Sequence, residues 1–337
     1  MKLDTTLDGP LDQAGELAGK AEEQGYDGIW TTEIAHEPFF PLLLAAERTQ
    51  AIALGTGIAV AFARNPMTTA YAAWDLQRHS GGRFLLGLGS QIKPHVERRY
   101  SMPWSAPAAR MREYVSALQA IWDSWQNGTR LSFEGDFYTH TLMTPFFDPG
   151  PVPSGPPAVL IAAGGEGMTR VAGEVADGML AHGFTPERYL REVTLPLLEE
   201  GLRARGRTRE TFSLTYPALV ATGDSEQSMA AAIAGTRKQI AFYGSTPAYR
   251  PTLELHGWGD LQPELHRLSK EDRWDEMGAL VTDDVLHAFA IVAPPEEVPA
   301  IMRARFGGVV DRIRLYQPYA AEEDVAPRVL AAFRQLP

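Results

Sequence analysis

Two carboxylates and an imidazole fall close together in Thr31-Thr32-Glu33-Ile34-Ala35-His36-Glu37-Pro38, directly after a short apolar run. An imidazole titrates near neutrality, so His36 is a candidate proton donor or acceptor, and Glu33 is the carboxylate that would tune or orient it. A histidine that only bonds within its own loop is the competing explanation. These residues do not make a zinc motif, because the second histidine would have to stand four residues after His36 and Phe40 is there. No metal site is expected. His182 is a weaker candidate of the same kind. The chain contains neither a G-x-S-x-G elbow nor a P-loop, which argues against a serine hydrolase of that type and a P-loop nucleotide site.

Two glycine clusters offer a different chemistry. Gly87-Leu88-Gly89-Ser90-Gln91 and Ala162-Ala163-Gly164-Gly165-Glu166-Gly167 each follow an apolar run, and the second leads into a helical pattern. Glycine lets backbone N–H donors approach an anion, and a helix start adds the positive end of its dipole. On neighbouring parallel strands, about 4.8 Å apart, both turns can reach one phosphate. Each cluster taken alone is equally explained as a tight strand-to-helix turn. Lys93, Arg98 and Arg99, just beyond the first cluster, are either a solvated loop face or a contact for a polyanionic ligand.

The elements that would position these groups alternate. Leu11, Ala14, Ala18 and Ala21 recur at helical spacing up to Gly25, and 27–31 reads as a strand. A helix over 42–50, a strand over 53–61 and a helix capped by Asn65 with Pro66 at its first position follow, the last burying Met67, Ala70, Tyr71 and Trp74. The run 83–88 is a strand of the kind a parallel sheet covered on both faces requires. A helix over 111–127 with Trp122 and Trp125 in the core, a hairpin near 130–140, and further strands at 158–162, 177–181, 212–221 and 309–316 complete the pattern, with helices at 168–176, 186–205 and up to about 242. With 2–6 as the first strand, the expected fold is a single α/β domain over 1–337, a (β/α)8 TIM barrel. A doubly wound sheet is disfavoured, since neither glycine cluster completes G-x-G-x-x-G. The stretch 245–287 breaks the period and reads as a helical insertion.

Composition excludes several function classes. With 42 acidic against 31 basic residues the net charge is -11, a poor surface for nucleic acid. There is no cysteine, so disulfides, thiolate metal sites and cysteine nucleophiles are out and a cytoplasmic setting fits. Neither a signal peptide nor a membrane span is expected from the polar MKLDTTLDGPLDQ and the lack of any long apolar run.

AEEQGYDGIWTTE, ALGTGIAV with the RNP that follows, GGRFLLGLGS, and LIAAGGEG with VADG occur in one order and together resemble the luciferase-like superfamily. Within it the chain is more similar to the branch that uses the deazaflavin coenzyme F420. The resemblance implies an oxidoreductase moving a hydride between F420 and a small organic substrate. FMN with molecular oxygen is the alternative, and a degenerate barrel that only binds a flavin or deazaflavin is a third. It also implies a cis peptide between Gly57 and Ile58 behind the ring, with phosphate contacts on Gly89, Ser90, Gln91, Ala163, Gly164 and Gly165. A homodimer or higher homo-oligomer goes with it. Sugar-phosphate dehydrogenases of this branch carry Asp-His after the second strand, where this chain has Glu33-Ile34.

Overall fold

A computed structural model describes residues 1–320 and 324–336. Strand β1 (Lys2–Thr6) is followed by helix α1 (Ala14–Gln24), which buries Ala14, Gly15, Ala18 and Ala21 and stops at Gly25 in the left-handed conformation, φ 95°. Next come β2 (Gly28–Thr31) and α2 (Phe39–Arg48), which starts three residues earlier than its apolar pattern indicated. The third strand is broken into β3 (Ala53–Thr56) and β4 (Ala59–Val60). Asn65 Oδ1 accepts the Met67 N–H at 2.8 Å to open α3 (Pro66–His79), whose buried side is centred on Ala70, Ala73 and Trp74 and leaves Met67 and Tyr71 half-buried.

Strand β5 (Phe84–Gly89) leads to α4 (Pro107–Asn127), which buries Trp122 and Trp125 and ends on left-handed Gly128. The hairpin is small, β6 (Phe133–Glu134) against β7 (Thr139–His140). Strand β8 (Ala158–Ala163), α5 (Glu166–Val175) and β9 (Gly178–Ala181) follow. In place of one helix over 186–205 there is α6 (Glu187–Tyr189), a π-turn over Leu190–Thr194 and α7 (Leu195–Ala204). The widened turn lies just before Pro196, which has no N–H for the helical ladder. Strand β10 (Ser213–Ala221) precedes α8 (Glu226–Gly244), opened by a reciprocal Ser225–Ser228 capping box. The aperiodic stretch is four short helices, α9 (Arg250–Leu255), α10 (Leu261–Lys270), α11 (Trp274–Ala279) and α12 (Asp283–Phe289). The sequence pattern gave no sign of β11 (Ala290–Val292), α13 (Val298–Phe306) or α14 (Ala326–Gln335); β12 (Arg312–Tyr316) is the last strand.

Contacts group the chain into two compact units. In the unit of Asp4–Leu180 and Leu197–Ser213, strands β1, β2, β3, β5, β8 and β9 run parallel in that order. Their residues are buried on both faces, as Leu86, Leu88, Val159, Leu160 and Ile161 show. Each such aliphatic side chain contributes about 1.5–3 kcal/mol on leaving water. In the unit of Met1–Leu3, Ala181–Pro196 and Leu214–Pro337, β10 lies between β11 and β12, both parallel to it. The short helices of the aperiodic stretch close around Phe184, Leu253, Leu265, Met277 and Phe289.

Candidate active site

The break between β3 and β4 is a bulge. Gly55 pairs with Leu85 and Ala59 with Leu88, so four steps along one strand face three along its neighbour. Side chains replace the missing ladder: Thr56 Oγ1 donates to the Gly87 carbonyl at 2.7 Å and accepts the Gly87 N–H at 2.9 Å. Only glycine fits at position 87, because a Cβ there would overlap the Thr56 carbonyl oxygen. The Gly57–Ile58 peptide is cis. Gly57 N–H donates to the Thr31 carbonyl at 2.7 Å, and Glu33 N–H to the Ile58 carbonyl at 3.3 Å.

Glu33 holds this bulge and does not contact His36. Its Oε2 accepts the Val60 N–H at 2.7 Å and the Arg64 guanidinium at 2.6 Å, and its Oε1 accepts the Tyr100 hydroxyl at 3.0 Å. The side chain is buried, 7% exposed, and no hydrogen bond joins it to His36 among the described residues. The expected pairing of Glu33 with His36 is not what the hydrogen bonds show: Val60, Arg64 and Tyr100 are its partners, and they belong to the bulge and its surroundings. Burial alone would lower the Arg64 pKa, but its pairing with Glu33 and Glu37 raises it. Burial, and donation to the Glu33 carboxylate, raise that of Tyr100. Glu37 accepts the Phe39 and Phe40 N–H groups at 2.7 and 3.1 Å and so caps the start of α2. His36 stands with Ile34 and Ala35 on an exposed tip. Its loop is tied down on either side by Thr31 Oγ1 donating to the Pro38 carbonyl at 2.8 Å and by Arg99 donating to the Ile34 carbonyl. Arg64, Tyr100 and Thr56 were not anticipated as parts of the site. Arg64 stands directly before the Asn65-Pro66 cap, and nothing in its spacing points to a carboxylate 31 residues earlier.

The two glycine turns follow β5 and β8, which are paired neighbours. Gly89 is buried, and a Cβ on it would lie 2.8 Å from Ile58 Cδ1, so the end of β5 closes against the bulge. Ser90 and Gln91 are half-buried; Ser90 Oγ donates to the Gln91 carbonyl at 3.1 Å, and Gln91 is left-handed, φ 59°. Ala163 is buried, whereas Gly164 and Gly165 are exposed. Gly165 is the N-cap of α5, supplies no side-chain acceptor, and has nothing within 4 Å of where a Cβ would stand. The first-turn N–H groups of α5 are thus uncapped beside open space, a donor set suited to a phosphate. Of the nearby charges, Lys93 pairs with Glu97 at 3.8 Å.

His182 lies outside this constellation, in the other unit. Its Nδ1 accepts the Phe184 N–H at 3.1 Å, and burial pushes its pKa down to about 4. An unfolded histidine titrates near 6.5, so between that value and 4 the unfolded chain binds a proton that the folded chain does not. Stability is expected to fall as pH drops through this window, by about 3 kcal/mol from this group at its lower end. Urea midpoints of wild type and His182→Phe measured from pH 7 to 4 test this, with the variant expected to lose less stability on acidification.

Among the described residues no helix is long and apolar enough to cross a membrane, and no group of three His, Cys, Asp or Glu side chains is placed to hold a metal ion. The profile of the luciferase-like monooxygenase family matches residues 2–312. An uncharacterised protein of Mycobacterium tuberculosis is 54% identical, the alignment covering 99% of this chain and 98% of that protein. The 5,10-methylenetetrahydromethanopterin reductase of Archaeoglobus fulgidus is 28% identical over 82% of this chain and 81% of its own length. The solved structure of the coenzyme F420-dependent tetrahydromethanopterin reductase of Methanopyrus kandleri matches with a TM-score of 0.77 at 21% identity, covering 98% of this chain and 96% of that one. That likeness shows the fold class, a parallel (β/α)8 barrel. The chain belongs to the luciferase-like monooxygenase family.

Proposed function

We propose that the protein is an oxidoreductase that passes a hydride between coenzyme F420 and a small organic substrate. One observation carries this reading: the N-terminus of α5, which has no side-chain cap, and the Gly89-Ser90-Gln91 turn follow adjacent strands, so that their amides would serve one anionic group. The two reductases above, one of them named for F420, support the choice of cofactor. When bound, the deazaflavin supplies the hydride donor or acceptor. The chain's own part is positional. Ala163, Gly164 and Gly165 with Gly89, Ser90 and Gln91 would hold the phosphate, Gly57 and Ile58 would back the ring, and His36 would carry the proton on the substrate side. The same cradle suits the phosphate of FMN, and the family's monooxygenase character keeps that second reading.

Gly165→Val tests the cradle. A Cβ at this position would have no neighbouring atom within 4 Å, so the far-UV spectrum should stay native while F420 affinity falls at least about tenfold, through loss of amide access to the anion. Unchanged affinity would remove the α5 terminus from the site.

A further inference from the structure

Within the second unit a cavity of about 410 Å³ opens among α6, α12, β11 and α13, a size suited to a small molecule. Ile291 and Val292 from β11 and Ile301 from α13 give it an aliphatic wall. Arg188, His256, His287 and Arg305 bring nitrogen to the same cavity, against one lining carboxylate, Glu187. That carboxylate is already engaged: Oε1 accepts from Arg191 at 2.9 Å, and Oε2 lies 3.7 Å from Arg305. Arg305 donates to the carbonyls of His287, Ala288 and Ala290 at 3.2, 2.7 and 3.0 Å, so it supplies charge rather than a free fork. Arg188 uses only its Nε, on Glu192 at 3.0 Å, and its two terminal nitrogens make no hydrogen bond among the described residues. The imidazoles are also incompletely used. His287 Nδ1 meets the Asp283 carbonyl at 2.8 Å and therefore donates, which leaves Nε2 bare in the neutral ring. His256 is stacked on Trp258, centroids 4.8 Å apart and planes at 9°, and its Nε2 is buried with no hydrogen-bond partner among the described residues. Such an atom is costly to leave unpaired.

We propose that this cavity binds a small organic carboxylate, its charge held by Arg188 and the two imidazoles and its apolar body laid against Ile291, Val292 and Ile301. Charge sets the preference. The lining carries two guanidinium groups against one carboxylate, and Arg191 and Glu192, each paired to a lining residue, cancel. A neutral molecule would leave that excess unanswered, and an inorganic anion would leave the aliphatic wall uncovered. The imidazoles couple binding to protons. Burial, and then the Arg188 charge, lower the His256 pKa, while Glu192 acts the other way. A carboxylate arriving beside Arg188 offsets that charge, so His256 takes up a proton as the ligand binds and offers donors on both ring nitrogens. By linkage, affinity rises as pH falls. None of the residues assigned to the cofactor or to proton transfer lines the cavity, so the site goes beyond the cofactor reading and stands whether or not F420 binds.

The test uses the full chain with benzoate as probe, benzyl alcohol as the uncharged control with the same ring, and inorganic phosphate as the anion without an apolar body. At neutral pH benzoate is expected to bind at least about tenfold more tightly than either. Its affinity should rise at least about threefold from about pH 8 to about pH 5.5, a range in which benzoate itself stays ionised. In the side-chain ¹⁵N spectrum it should move the His256 and His287 signals. Arg188→Gln removes the charge from an exposed side chain and should weaken benzoate binding at least about tenfold, whereas His256→Phe keeps the stack on Trp258 and should flatten the pH dependence. Gly165→Val, aimed at the α5 cradle, should leave benzoate binding unchanged. Equal binding of benzoate and benzyl alcohol overturns the proposal, as does no binding of benzoate, or binding that Arg188→Gln leaves intact. Loss of benzoate binding in Gly165→Val overturns it too, since the probe would then sit in the cradle. Phosphate binding as tightly as benzoate also overturns it, because the aliphatic wall would play no part.

Discussion

Glu33→Ala is expected to lower the folding free energy by about 3 kcal/mol, because it leaves the buried Val60 N–H without its acceptor and takes from the half-buried Arg64 guanidinium its shorter carboxylate contact, with Glu37 at 3.2 Å remaining. Glu33 and Arg64 are 7% and 20% exposed, so water screens this pair far less than it does the surface ion pairs of the chain. Urea unfolding reads the loss as a shift in midpoint at constant slope. Glu33→Gln keeps an acceptor for Val60 but gives up the charge, and should fall between wild type and alanine. If the account is right, Glu33→Ala and Arg64→Ala are strongly non-additive, since each removes the same contact. A change within about 0.5 kcal/mol for Glu33→Ala would mean that the bulge holds without its carboxylate.

His36→Ala is expected to lower turnover by about 10²- to 10⁴-fold while leaving cofactor affinity and stability nearly unchanged. The structure makes this variant a clean test. His36 stands on an exposed tip whose flanks are held by Thr31, Glu37 and Arg99, so its side chain can be removed without opening the loop. A proton donor on the substrate side should also shape the pH profile, which is expected to lose one limb in the variant. Wild-type turnover by His36→Ala would refute the role, and a tight effect on KM alone would make His36 a binding residue instead.

Much of the barrel was legible because its strands are continuous apolar runs bounded by glycine, as in 84–89 and 158–163, and because Asn65-Pro66 is a strong local start signal. The two glycine turns after β5 and β8 were legible for the same local reason. The role of Glu33 was not, since its partners Val60, Arg64 and Tyr100 lie 27, 31 and 67 residues away and no periodicity links them. The neighbours of His182 were hidden too, since Tyr243 and Tyr249 stand at the edge of the stretch where the repeat breaks down. Strand β11 was missed because three residues, Ala290–Val292, are too short to show any alternation.

On the proposed function, the paired turns after β5 and β8 hold the phosphate of a deazaflavin. The most direct measurement is a spectral titration of the full chain with F420 and, separately, with FMN. Saturable binding of F420 at micromolar concentration, with FMN at least about tenfold weaker, is the predicted result. Micromolar binding of FMN with none of F420 would contradict it.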